Sequence, residues 1–513
     1  ANAVNGIINI ITKKAEDTQG WLITAGAGDE ERGFGGVRYG GKLGYGSHYR
    51  VYAKYFKRDD FVDSQGDDAD DRWNAFRAGF RMDWTGLEND SFTFQGDIYS
   101  GDESEAGIFP LLSFPFSAEI DQELDIGGEN ILARWTHTTS ETSETTLQIY
   151  YDRTERNQLS ANKEHRDTVD IDFQHSFALG ERHAILWGLG YRFTEDNIAD
   201  TISSSTDPTS RQDNLFSMFV QYEITLIPER VRLTLGSKFE HNDYTGFEVQ
   251  PSARALWTPH KDHTVWAAIS RAVRIPSRIE HDLALIVSVE APPGIPLPIF
   301  GVLNPSEDTF GAEEVIAYEV GYRVRPVKSL SLDIAAFYSN YDELRSQEIG
   351  VPSLVFPIIL APMIFDNKMD GSTYGVEIAA EWKVTDRWTL KSGYAFIDMD
   401  LDLDSDSAAV PALVDDAERS TPHHQFQLRS LLDLPHNLEL DAAVYYVDSV
   451  PTFDISSYIR ADLRLAWRPT ENLELSVVGQ NVFEGHQKEF EPTLFTPATE
   501  PERSVYGKIT LRF

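Results

Sequence analysis

Ser504-Val505-Tyr506-Gly507-Lys508-Ile509-Thr510-Leu511-Arg512-Phe513 alternates strictly: Val505, Gly507, Ile509, Leu511 and Phe513 fall on one side, polar or amphipathic residues on the other. Successive side chains of a strand point to opposite faces, so this strand separates two surroundings. Ending on Phe, it fits the closing strand of a barrel whose outside meets lipid and whose inside meets water. One such stretch fits any half-buried strand. The reading therefore depends on repetition.

The pattern recurs. Leu438, Leu440, Ala442, Val444 and Tyr446 oppose Glu439, Asp441, Ala443 and Tyr445, and Ile459, Ala461, Leu463, Leu465 and Trp467 oppose Arg460, Asp462, Arg464 and Arg468. Leu330, Leu332, Ile334, Ala336 and Tyr338 alternate with Ser331, Asp333 and Ser339 in the same way. Charges at central strand positions need water, either outside a sandwich or inside a large barrel.

The connections separate these two architectures. Short ones carry turn chemistry, as in Thr85-Gly86-Leu87-Glu88-Asn89, Pro259-His260-Lys261-Asp262, Pro435-His436-Asn437 and Pro469-Thr470-Glu471-Asn472. They take turns with long ones: Arg58 to Trp73, Gly101 to Gly128, Ile275 to Gly311, Glu343 to Ser372 and Ile397 to Thr421. Short turns at one end and long loops at the other mark a transmembrane barrel. The fold class expected is all-β, an antiparallel barrel of roughly 22 strands, with periplasmic turns and extracellular loops. Trp84, Trp135, Trp187, Trp257, Trp266, Trp382, Trp388 and Trp467 sit close to short turns, as an interfacial aromatic girdle requires.

Composition fits. The 513 residues exceed one ordinary soluble core, whereas a barrel grows in circumference and not in depth. No apolar run approaches the length of a helical span, so barrel closure is what satisfies the backbone in lipid. The absence of Cys removes disulfides and thiolate chemistry, and the net charge of −37 argues against nucleic acid as a partner. No Ser, His and acid grouping stands out at a catalytic spacing, so no enzyme activity is expected.

The chain opens Ala1-Asn2-Ala3-Val4-Asn5-Gly6-Ile7-Ile8-Asn9-Ile10-Ile11-Thr12, with neither a leader nor an initiator Met. A protein bound for the outer membrane needs a leader, so a longer precursor is expected. Ala3, Gly6, Ile8, Asn9, Ile10 and Thr12 match the plug-end segment Ala-x-x-Gly-x-Ile-Asn-Ile-x-Thr of the TonB-dependent outer-membrane receptors, which this chain resembles over its whole length. Further similarities are Arg274-Ile275-Pro276, Glu313 with Glu319-Val320-Gly321, Gly479-Gln480-Asn481-Val482-Phe483, and the end from Arg503 and Tyr506 to Phe513. Ala312 stands where the family usually has Pro, and most of the plug and the TonB-contacting box are absent from this sequence.

The resemblance implies a C-terminal plug remnant and linker at residues 1–19 and a barrel at 20–513. It also implies a monomer in outer-membrane lipid that imports a scarce ligand, coupled to TonB, ExbB and ExbD through the missing N-terminal region. A ferric siderophore is the expected ligand; cobalamin, haem, another metal chelate, or a passive porin or adhesin barrel are the alternatives.

No resident cofactor or metal is expected. Asp398-Met399-Asp400-Leu401-Asp402-Leu403-Asp404-Ser405-Asp406 puts five carboxylates on one side, which could bind Ca²⁺ or extend a solvated strand; it lacks the Gly and final Glu of an EF-hand loop. The aspartates between Asp59 and Asp71 suit a soluble loop. His423 and His424 are adjacent, so a strand would turn them to opposite faces. Arg274, Arg278, His281 and Tyr341 are candidates for contacting an anionic chelate at the mouth, or else for pairing with lumen carboxylates. Two connections are apolar, 291–300 and 351–365. They are expected either to form a ligand-facing wall containing Phe300 and Phe356, or to pack against one another.

Overall fold

A computed structural model of the chain describes residues 6, 8–111, 114, 116–157, 163–201, 203–290, 297–305, 310–490 and 497–513. Among these, 22 antiparallel strands form a closed ring. It runs from Gly20–Gly28 through neighbour-to-neighbour hairpins to Ser504–Arg512, and that last strand pairs with the first, Leu22 opposite Arg512 and Gly28 opposite Tyr506. Backbone bonds between Trp21 and Phe513 finish the seam. Gly20, at φ 78°, begins the first strand there, and a Cβ on it would collide with the Phe513 carbonyl. Closure leaves no edge whose N–H and C=O groups would go unpaired in hydrocarbon. No helix among the described residues is long and apolar enough to cross a membrane.

The alternation read from the sequence sorts onto the two surfaces. In the first strand Trp21, Ile23, Ala25 and Ala27 face out, with Gly20, Leu22, Thr24 and Gly26 between them less exposed. In the last, Val505, Gly507 and Ile509 face out. Turns such as 261–262 and 471–472 join strands at one end. Nine of the ten Trp lie within a few residues of that end, and Trp73 alone starts a strand at the other.

At the opposite end, here the crown, several of the long connections read as loops continue as paired strands. Between Gly101 and Gly128 the arms Asp90–Pro110 and Ser117–Ser140 stay paired up to Pro110 and Ser117. Between Glu343 and Ser372, Leu330–Ile349 and Ile358–Thr385 pair up to Ile349 and Met363. The strand Trp388–Leu403 runs well past Ile397 before the helix Pro411–Glu418. Two antiparallel arms can continue their ladder into water, where acidic side chains on either face cost nothing.

The connection after Arg274 folds into a one-turn helix, Arg278–Asp282, and two strands, Leu283–Glu290 and Ile299–Asn304. The first of these pairs with Ser204–Thr206, the second in parallel with 359–364, building an extramembrane sheet from three separate connections. The first also touches the hairpin arm Asp90–Pro110.

At the turn end, residues 12–18 lie against the inner wall. Ala15 N donates to the inward carboxylate of Asp83 at 2.6 Å, Arg81 to Thr12 Oγ1 at 3.0 Å, and Arg50 to the Lys13 carbonyl at 2.6 Å. Gly40 makes this approach possible, since a Cβ there would strike the Thr18 carbonyl.

Candidate functional site

Pro276 and Ser277 set the helix at the mouth in place. Ser277 Oγ accepts from Glu280 N, and the Glu280 carboxylate accepts from Ser277 N at 2.8 Å, a reciprocal capping box. This one turn presents Arg278, Glu280 and Asp282, all buried, to the barrel wall.

Each finds opposite charge on a different element. Arg278 Nε donates to Asp196 Oδ1 at 3.0 Å, and its other nitrogens reach Asp282 and the Pro208 carbonyl. Asp282 also receives Arg211 at 3.0 Å, while Arg211 holds Asp213 at 2.9 Å and stacks on Tyr244. Glu280 binds Arg274 at 2.8 Å and Arg345 at 2.9 Å. Arg274 forks onto Glu313 at 2.5 and 2.9 Å, the two residues lying opposite each other in the ladder. Burial raises the Glu280 and Asp282 carboxyls, but hydrogen bonds from their partners outweigh it and hold both below the usual carboxylate range. Charge-assisted, bidentate pairs of this kind fix geometry.

Beside this mesh opens a cavity of about 390 Å³ lined by Arg274, Glu313, Tyr341, Leu344, Arg345 and Met369. Arg345 is half-exposed there, its guanidinium over the Phe365 ring at 5.0 Å. Two carboxylates, Glu313 and Glu314, stand there beside cation, phenol, thioether and aliphatic groups, a mixture that suits a ligand with both polar and apolar faces.

Of the residues singled out from sequence, Arg274 and Tyr341 therefore meet at one cavity. Arg278 and His281 lie on the adjoining helix, where Arg278 is consumed by carboxylates and His281 Nδ1 contacts Asp282 at 2.8 Å. Pairing with carboxylates, one of the two expected roles, is what the structure shows for Arg274, Arg278 and His281. The described parts of the two apolar connections pair with one another, Phe300 beside Leu360, and Ala291–Pro296 lie outside the described residues. Phe300 is 1% exposed within that sheet, while Phe356 is 82% exposed at a hairpin tip, so neither lines this cavity.

Arg345, Met369, Asp196 and Glu280 were not singled out. Only Glu280 carried a local signal, the Ser-x-x-Glu spacing from Ser277.

The remaining candidates resolve structurally. Asp398 accepts from Tyr374 Oη at 2.6 Å, and Asp60, Asp63 and Asp71 accept from backbone N–H groups of their own connection. His424 meets Tyr394 Oη at 2.9 Å, whereas His423 faces Asp398. Among the described residues no group of three His, Cys, Asp or Glu is placed to hold a metal ion.

Residues 19–482 match the family model described as TonB dependent receptor-like, beta-barrel. Among solved structures, the chain is similar to a mutant of the ferric enterobactin receptor PfeA of Pseudomonas aeruginosa in complex with enterobactin, at 16% identity and TM-score 0.75, covering 100% of this chain and 84% of that one. It is similar to the siderophore receptor PirA of the same organism at 14% identity and TM-score 0.68, covering 96% and 80%. A copper transporter, OprC, gives 14% identity and TM-score 0.71, with coverage of 96% and 80%. At such identities the likeness establishes the fold. No curated protein matches the chain.

Proposed function

The chain belongs to the TonB-dependent receptor family through its β-barrel domain, and from that membership we propose that it is an outer-membrane receptor importing a scarce chelated ligand, a ferric siderophore fitting best, under TonB, ExbB and ExbD drive. One observation carries the receptor reading over that of an open porin: the inner wall is built to hold polypeptide. Asp83, Arg81 and Arg50 point inward and grip residues 12–15, and Gly40 leaves room for Thr18. A passive channel needs no such seat. We read residues 1–19 as the end of a lumen-filling plug and its linker, with the barrel beginning at 20.

The ligand would enter at the crown and meet the mouth cavity, with Arg345, Tyr341 and Met369 as contacts and Arg274 held by Glu280 and Glu313 as their support. Arg278 and His281 act one layer behind, fixing the helix. Siderophore receptors among the similar structures support this ligand class.

The test is uptake by the full-length receptor in a Gram-negative host stripped of its own siderophore receptors, challenged with a panel of iron-55 chelates. Uptake of at least one chelate, lost on deleting TonB, is the expected result. Large steady conductance in planar bilayers without TonB-dependent uptake would sink the proposal.

A further inference from the structure

Three connections converge above the seam where the first strand meets the last. In the first turn, 29–32, the Asp29 carboxylate accepts from Val505 N at 2.8 Å, and the Glu30 carbonyl accepts from Asp59 N at 2.9 Å. Arg32 pairs with Asp59, and Arg58 with Glu31 at 2.9 Å, binding that turn to the second connection, 59–72. The second connection is bound to the last one by reciprocal backbone bonds between Val62 and Glu500, at 3.4 and 2.7 Å. Within the last connection His486 pairs with Glu500, and Arg503 N donates to the Gly485 carbonyl at 2.8 Å.

Glu30 stands at the centre. Its carboxyl is in hydrogen-bonding contact with that of Glu502, and its Oε2 is buried without a partner. Asp59 and Asp29 face it with further negative charge, while the nearby cations Arg32 and Arg58 are engaged by Asp59 and Glu31. Two carboxylates in contact under partial burial cannot both ionise without repulsion, and one proton between them turns repulsion into a hydrogen bond.

We propose that these connections form a proton-held clasp over the barrel seam, in which a proton shared by Glu30 and Glu502 keeps the first turn and the last connection together and its loss loosens them. Burial, then the charges of Glu502, Asp59 and Asp29, push Glu30 up from 4.5 to about 7. An acid whose closed-state pKa is raised favours the closed state at low pH. Closure is therefore firmest below the usual carboxylate range, weakens as pH climbs toward 7, and levels off above it. The crown beside the seam becomes responsive to external acidity without any metal or ligand.

Hydrogen exchange on the full-length receptor in lipid nanodiscs tests this, following peptides over 59–63 and 483–490 at pH 5.5 and pH 8 after correction for intrinsic rates. Opening should rise roughly tenfold or more between the two conditions. Glu30→Gln should show equal protection at both, and Glu502→Gln, in which burial, Asp59 and Asp29 still act on Glu30, should shrink the dependence without abolishing it. His486→Gln should keep the wild-type dependence. Equal wild-type protection at both pH values would overturn the clasp, as would a pH dependence that survives Glu30→Gln or vanishes in His486→Gln.

Discussion

The two ends of this barrel share their strands and differ in almost everything else. At the turn end, connections of a few residues carry scattered charges of both signs, and nine of the ten Trp gather nearby. At the crown, residues 59–71 hold seven Asp with no cation between them, 101–128 hold seven carboxylates with none, and 398–418 another eight with none. The net charge of −37 thus belongs chiefly to one end. The turn end is shaped by the bilayer, which asks only for tight turns and interfacial aromatics. The crown stands in water, and four of its arginines, Arg211, Arg274, Arg278 and Arg345, are gathered into one mesh where each meets a carboxylate.

Substitutions at each end put this contrast to the test. The largest effect is expected from Arg278→Met, which leaves buried Asp196 with only the more distant Arg166 and buried Asp282 with Arg211 alone; about 3 kcal/mol should be lost in reversible urea unfolding into lipid vesicles. A loss under about 1 kcal/mol would show that the mesh is wetter than its burial indicates. Next, Phe300→Ala should cost about 3 kcal/mol of the crown sheet's local stability, seen as faster exchange over 299–304, while Phe356→Ala leaves that exchange unchanged. At the turn end, Gly40→Val should displace residues 12–18 from the wall at a cost of about 1–3 kcal/mol. A cysteine introduced at Ala15 should then react faster with a thiol reagent. Smallest of all, Arg323→Ala removes an exposed pair with Asp333 near a turn and should change unfolding by less than about 1 kcal/mol. An ion pair at one end should therefore count several-fold more than one at the other.

What could be read from sequence follows the same division. Strict alternation in Leu330–Tyr338 or Ile459–Trp467 reports two surroundings per strand, and lipid and water enforce it along the whole membrane band. The ring of 22 was accordingly legible. Above the membrane, water lies on both faces, so alternation stops carrying information. That is why the paired arms between Gly101 and Gly128, and the Pro-interrupted strand through Pro362, read as loops. The candidate site was half legible: Arg274 and Tyr341 lie on strands whose phase could be followed to the mouth. Arg345 follows a register shift between Tyr341 and Leu344, and Asp196 meets Arg278 across 82 positions, a contact no local spacing encodes.

Every pairing in the ring joins strands that follow one another along it in sequence, with one exception: the pairing of Leu22 with Arg512 joins the first strand to the last. Until that last ladder forms, an assembling sheet carries two raw edges, each able to recruit a stray strand from another molecule. Zipping of successive hairpins is entropically cheap, whereas bringing the extremes together is the slow, long-range event. Biogenesis of this barrel should therefore hinge on chaperoning its two outermost strands, and lesions in Gly20–Gly28 or Ser504–Arg512 should cause aggregation before they cause any loss of transport.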